Sequence, residues 1–110
     1  MNEYMKFVIV FILFFSANAS AQTRQTISIK EVALSMNTKR VFVVSNETIT
    51  GSSCSENAYL SIALPNPEAY LFYSAALSAM NENKKMRIQY SNSECVNNGS
   101  KVEVFWNLNQ

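Results

Sequence analysis

Alternation of apolar and polar residues marks the first half of the chain as β-structure. Residues 26–36 alternate, but the phase changes between Ile29 and Val32. One extra residue near Lys30 would bring the apolar side chains onto one face, which is typical of a bulged, bent strand. Residues 40–45 are β-branched and aromatic. They predict a second strand that forms a hairpin with the first.

A third strand and a helix follow. Residues 58–64 alternate again, and the next residues favour a helix start, with Asn66 as the cap and Pro67 at the first helical position. Residues 69–80 are rich in alanine and leucine and lack β-branched side chains, which predicts a helix. The residues expected to face the core are Tyr70, Leu71, Tyr73, Ala75, Leu77 and Met80.

Two further strands are predicted near the end of the chain, over residues 86–90 and 101–108. Strict alternation along the last strand places Phe105 outward. The inward face of this strand is predicted to carry Val102, Val104, Trp106 and Leu108. The polar segments over residues 46–56 and 91–100 are predicted to be loops.

The order strand-strand-strand-helix-strand-strand indicates a mainly β domain. With a bent first strand and the helix between the third and fourth strands, it matches an OB-fold, a five-stranded Greek-key barrel with one helix. A ferredoxin-like sandwich is less favoured because it needs a second helix. We expect one OB-fold-like domain over residues 22–110.

Residues 1–21 have the layout of a signal peptide. A short polar start carrying Lys6 precedes an apolar run over residues 7–15, and Ala19 and Ala21 form an Ala-x-Ala cleavage pattern. The run is far shorter than the roughly 20 residues that span a bilayer, although an uncleaved anchor or a buried helix is the alternative. We therefore expect cleavage after Ala21 and an exported protein, periplasmic or secreted.

The chain contains only two cysteines, Cys54 and Cys95. In an exported protein an even cysteine count favours a disulfide. The predicted topology agrees, because the start of the third strand and the end of the fourth both lie beside the start of the fifth. A bond between them requires Cα atoms about 5.5 Å apart.

The amino-acid composition excludes several classes of catalytic and metal site. The chain has no histidine and no aspartate, which removes Ser-His-Asp and Cys-His catalytic sites and most zinc sites. Its glutamates form no recognisable motif, so an enzyme that uses paired glutamates is the least favoured class. The net charge of +1 does not favour nucleic acid, or a membrane after signal cleavage. We expect no catalysis, no cofactor and no bound metal.

The stretch from Cys54 to Cys95, including AYLSIAL and YLFYSAALSAMNENKKMRIQYSNSEC, resembles a group of small exported bacterial proteins. They have the OB-fold of toxin B subunits, as in the cell-binding subunits of subtilase-cytotoxin-like and pertussis-like toxins. The resemblance implies a non-catalytic module that forms a homo-oligomeric ring and binds cell-surface glycans. It covers about half of residues 22–110.

Three side chains are the candidate ligand-binding residues. Tyr59, Arg87 and Phe105 are predicted to project outward from three neighbouring strands. A ring can stack on a sugar, and Arg87 can pair with a carboxylate such as that of sialic acid. The alternative is that the rings anchor a subunit interface or are partly covered. The leading prediction is a glycan- or protein-binding module. The alternative is a monomeric periplasmic domain with a structural or inhibitory role.

Overall fold

The computed structural model describes residues 21–108 as one sheet and one helix. The elements are β1 (Gln22–Ile27), β2 (Ile29–Ser35), β3 (Arg40–Ser45), β4 (Tyr59–Ala63), α1 (Pro67–Asn81), β5 (Met86–Val96) and β6 (Gly99–Asn107). The predicted signal peptide, residues 1–21, lies outside the described residues except for its last residue. Among the described residues, no helix is both long and apolar enough to cross a membrane.

The sheet has six strands rather than the predicted five, in the order β1-β5-β6-β4-β3-β2. The single first strand of the prediction is divided at Ser28 into β1, which pairs with β5, and β2, which pairs with β3. The chain turns there because the Ser28 amide donates to the Glu47 carboxylate (2.9 Å), and its carbonyl accepts from the Asn46 amide (3.1 Å). The predicted irregularity near Lys30 is confirmed, since the register shifts between Ile29 and Glu31.

A second irregularity, in β6, reverses the predicted faces of that strand. Gln89 and Tyr90 are neighbours on β5, but they pair with Val104 and Val102. Glu103 therefore has no residue opposite it on β5. Such an extra residue puts the strand out of phase beyond it.

The aromatic residues that follow the bulge therefore exchange faces. Phe105 is half-buried and packs on the core, with its ring centroid 5.1 Å from that of Phe72. Trp106 is also half-buried but lies outside the core cluster. The prediction of an outward Phe105 and a core Trp106 was wrong.

The helix covers one face of the sheet with small residues and one large ring. Its fully buried residues are Ala69, Phe72, Ala76 and Ala79. Alanines at this spacing let the helix approach the sheet closely, and Phe72 fills the space between them.

The predicted core face of the helix was partly wrong. Tyr73, Ala75 and Met80 do pack against the core. Tyr70 and Leu71 are instead 50% and 65% exposed, and Leu77 is half-buried outside the cluster. The helix is apolar around most of its circumference, so more than one stripe satisfied the helical period.

The disulfide between Cys54 and Cys95 is confirmed, with a Cα–Cα distance of 5.8 Å. It joins the segment before β4 to the end of β5. The second cysteine was predicted to lie in a loop, but β5 continues through it as far as Val96, and β6 starts at Gly99. In the chain-entropy model, closing a loop of about 40 residues stabilises the fold by up to about 4 kcal/mol.

Candidate functional site

The three predicted ligand-binding residues do not meet on one surface. Tyr59 lies on β4 beside Arg40, whereas Arg87 is exposed on β5. Phe105 contacts the core and lines a groove of about 400 Å³ beside the start of α1. Tyr59 and Arg87 therefore belong to two separate surfaces, both on the side of the sheet away from the helix.

The first surface surrounds a buried arginine, and we call it the Arg40 cluster. Its members are Arg40, Phe42, Glu56, Tyr59 and Ser61. Arg40 is only 5% exposed. Its Nη1 donates to Ser61 Oγ and to the Val96 carbonyl, both at 3.1 Å, and its Nη2 lies 3.4 Å from Glu56 Oε2. Within residues 21–108, its buried Nε has no hydrogen-bond partner.

Aromatic rings complete the Arg40 cluster. The guanidinium carbon lies 4.6 Å from the ring centroid of Phe42 and 5.6 Å from that of Tyr59, and the two rings are 5.1 Å apart. Strand pairing sets this arrangement, because Phe42 is opposite Ser61 and Val44 is opposite Tyr59. Most of the donors of this arginine are used inside the protein, which is typical of a structural role.

Gly99 is needed beside this cluster. A Cβ at that position would lie 2.7 Å from Ser61 Oγ, 3.0 Å from Tyr59 Cβ and 3.2 Å from Arg40 Nη1. Only a residue without a side chain lets β6 start this close to the buried guanidinium. The close packing leaves little room for a ligand at Arg40.

The second surface is formed by β1, β5 and β6, and we call it the Trp106 surface. It consists of Arg24, Arg87, Gln89, Val104 and Trp106. The guanidinium of Arg24 lies 5.6 Å from the ring centroid of Trp106, and its Nε donates to Gln89 Oε1 at 2.7 Å. Arg87 is directly opposite Trp106 in the β5–β6 ladder. Val104 is 38% exposed, so the surface has an apolar part next to two cations.

A row of hydrogen bonds holds the polar side of the Trp106 surface in place. Gln89 Nε2 donates to Gln22 Oε1 at 2.9 Å, and Gln22 Nε2 donates to Glu103 Oε2 at 3.2 Å. The row therefore runs from Arg24 across β5 and β1 to the bulged residue of β6. These amides can exchange their partners for the hydroxyl groups of a ligand because the row is exposed.

Arg87 is the uncommitted cation of this surface. It is exposed, and within residues 21–108 it forms no ion pair and no side-chain hydrogen bond. A guanidinium presents several donors in a planar fork that matches a carboxylate. Beside the half-buried indole ring of Trp106, such a group can bind an anionic ligand that also has an apolar face.

Sequence reasoning missed most of the Trp106 surface. The first predicted strand began at residue 26 and left out Arg24, although Arg24 belongs to β1, and Trp106 was placed in the core. One available signal was the neighbouring pair Phe105 and Trp106, because adjacent strand residues point to opposite faces and one ring had to face outward.

The groups with shifted pKa values lie away from both surfaces. Burial raises the pKa of Tyr90, whose hydroxyl donates to the Thr50 carbonyl at 2.6 Å. Burial would also raise the pKa of Glu47, but hydrogen bonds from Ser28 and Ser45 lower it overall. Both groups connect segments of the fold. In the part of the chain that the structure describes, no three acidic or cysteine side chains are grouped to hold a metal ion.

No family model, no curated protein and no solved structure matches the chain. The Arg40 cluster is closed by its own contacts, and the Trp106 surface is open, so the Trp106 surface is the candidate functional site.

Proposed function

We propose that the protein is an exported, non-catalytic module that binds a glycan at the Trp106 surface. The observation that carries this proposal is the position of Trp106 on the side of the sheet away from the helix, with Arg24 over its ring and Arg87 opposite it. An indole ring stacks on the apolar face of a sugar, while neighbouring amides and guanidinium groups bond to its polar substituents.

The ligand in this proposal carries a carboxylate, as sialic acid does. Arg87 would pair with that carboxylate, since its donors have no partner among the described residues. Arg24 is held by Gln89 and would keep the indole ring in place. Of the three residues predicted from sequence, Arg87 keeps its proposed role, and Tyr59 and Phe105 do not.

We further propose that the sheet is an OB-fold. Taking β1 and β2 as one strand bent at Ser28, the first strand pairs with both the second and the fourth strands of that fold. The parallel pairing of β4 with β6 and the position of α1 between β4 and β5 support the same assignment. OB-folds commonly bind ligands on a sheet face. The disulfide is compatible with export.

A role as one subunit of a homo-oligomeric ring, like the toxin B subunits that the sequence resembles, is favoured by the outer side of α1. Tyr70 and Leu71 are adjacent there and 50% and 65% exposed. A neighbouring copy would remove this apolar area from water, at a gain of about 25 cal/mol for each Å² buried.

A glycan array tests the proposed site. The full chain is produced with its own leader, purified from the periplasm and compared with Trp106→Ala, Arg87→Ala and Arg87→Lys. Trp106→Ala should weaken all binding by about tenfold or more, because it removes the stacking platform. Arg87→Ala should remove the preference for acidic over neutral sugars, and Arg87→Lys should restore it only in part.

Lys85→Ala is the matched control, since it removes an exposed cation from a different part of the surface. Its array pattern should equal that of the wild type. A wild-type protein that binds no glycan, or a Trp106→Ala variant that binds as well as the wild type, would reject the Trp106 site. Silence on the array together with a monomeric mass by light scattering would favour a periplasmic domain with a structural or inhibitory role.

A further inference from the structure

The two chain segments joined by the disulfide also supply the groups that cover Arg40. Glu56, two residues after Cys54, lies 3.4 Å from the guanidinium, and the carbonyl of Val96, one residue after Cys95, accepts from it at 3.1 Å. The segments are also tied to each other, because the Glu56 amide donates to the Asn98 carbonyl at 2.9 Å. Cover of the buried cation and formation of the disulfide therefore depend on the same two segments.

We propose that the Cys54–Cys95 disulfide is a redox-sensitive latch over the Arg40 cluster. While the bond is intact, the segment before β4 is held against the end of β5 and Arg40 is 5% exposed. Once it is cleaved, the segment that carries Cys54 and Glu56 can move away from the end of β5, and Arg40 loses the Glu56 carboxylate while it keeps Ser61 and the Val96 carbonyl. A buried guanidinium that loses its carboxylate partner is unfavourable, so the side chain moves toward the water that replaces the released segment.

The exposure of the two cysteines determines how the latch opens. Cys95 is exposed and Cys54 is 7% exposed, so a dithiol reductant attacks the sulfur of Cys95. This forms a mixed disulfide and releases Cys54 as a thiolate that takes up a proton. The second thiol of the reductant then resolves the mixed disulfide. The products are two protein thiols and one oxidised reductant, and the thiol protons of the reductant are transferred to the cysteines.

Opening would uncover a second cationic surface. Phe42 and Tyr59 flank the guanidinium of Arg40, so the exposed cluster would present one cation between two rings. Such a group binds anions in the reduced protein only. This inference concerns a surface other than the Trp106 surface and does not depend on glycan binding.

Arginine labelling with phenylglyoxal tests the latch. The protein is purified oxidised from the periplasm, and the labelling of each arginine is followed by mass spectrometry with and without dithiothreitol. In the oxidised protein Arg40 should react about tenfold or more slowly than Arg24 and Arg87. Reduction should raise the Arg40 rate about tenfold, as expected for local opening. The rates of the other two arginines should change less than about twofold, since their surroundings do not involve the disulfide.

Two controls distinguish the latch from global unfolding and from cover by the ion pair alone. Hydrogen exchange must show that β3 and α1 stay protected after reduction, because loss of protection throughout would mean global unfolding and would overturn the latch. Glu56→Gln, with the disulfide intact, should raise the Arg40 rate far less than reduction does. An equal rise in the labelling rate of Arg40 would show that the ion pair alone protects the guanidinium, and it would overturn the latch. An Arg40 rate that does not change when both thiols are free would also overturn the proposal.

Discussion

The Arg40 cluster and the Trp106 surface both place an arginine over an aromatic ring, but they differ in what else the arginine contacts. Arg40 is 5% exposed and bonds to a hydroxyl, a carbonyl and a carboxylate. Arg24 is exposed and has one side-chain bond, to Gln89. The same pair of residue types is therefore structural where the donors are used internally, and available for binding where they are not.

The difference also decides how each arginine affects stability. Removing one partner of a buried ionic network leaves the others without hydrogen bonds in a medium of low dielectric, and this costs several kcal/mol. An exposed guanidinium exchanges its protein contacts for water at little cost. Substitutions on the two surfaces should therefore differ sharply in their effect on the free energy of unfolding.

The largest contrast should come from truncating the two arginines. Arg40→Ala should lower the free energy of unfolding by about 3 kcal/mol, because Ser61 and the Val96 carbonyl lose their donor inside the protein. Arg24→Ala should lower it by less than about 0.5 kcal/mol, as expected for an exposed position. Urea denaturation of the oxidised proteins measures both values. Equal losses for the two variants would show that the distinction between the surfaces is wrong.

A smaller contrast is expected from the adjacent aromatic residues of β6. Phe105→Ala should cost about 2–3 kcal/mol, because Phe105 packs on Phe72 and the core. Trp106→Ala should cost about 1 kcal/mol, since Trp106 lies outside the core cluster and contacts the exposed Arg24. The same urea experiment checks the order. If Trp106→Ala lowers the free energy of unfolding more than Phe105→Ala does, Trp106 faces the core and Phe105 faces outward, as strict alternation along β6 predicted.

The positions of Phe105 and Trp106 show which features the sequence pattern could not predict. Alternation missed β1 as a separate strand, but it correctly predicted β2, β3, β4 and β6 and the irregularity near Lys30. The even cysteine count predicted the disulfide. Each of these depends on local pattern or composition. Alternation failed at Glu103, because that bulge exists only in the pairing of β6 with β5. One unpaired residue was enough to exchange the positions of Phe105 and Trp106.

The Arg40 cluster could not be predicted for a different reason. An arginine at the start of a strand normally lies at the surface. Its burial here depends on Glu56, Ser61 and Val96, which are separated from it by 16, 21 and 56 positions in the chain. A local pattern does not contain that information. The Trp106 surface has the same origin, because Arg24 and Trp106 meet only through the pairing of β1 with β5 and of β5 with β6.

The two regions are connected through Ser28, and Glu47 holds that connection. Ser28 separates β1, which belongs to the Trp106 surface, from β2, which pairs with the strand that carries Arg40. The Glu47 carboxylate accepts from the Ser28 amide and hydroxyl, both at 2.9 Å, and from the Ser45 hydroxyl at 3.1 Å. Burial opposes the charge, but these bonds lower the pKa of Glu47 below its ordinary value.

The smallest predicted effect is a pH dependence that arises at this junction. Because the pKa of Glu47 is lower in the folded protein, its carboxylate contributes stability that is fully present above the ordinary pKa. That contribution is lost as the pH falls through the folded-state pKa. Urea midpoints measured from neutral pH to acid should therefore differ between wild type and Glu47→Gln at neutral pH and converge in acid. Glu31→Gln, which removes an exposed carboxylate of β2, should run parallel to the wild type. Parallel curves for Glu47→Gln as well would mean that Glu47 does not hold the junction through its charge.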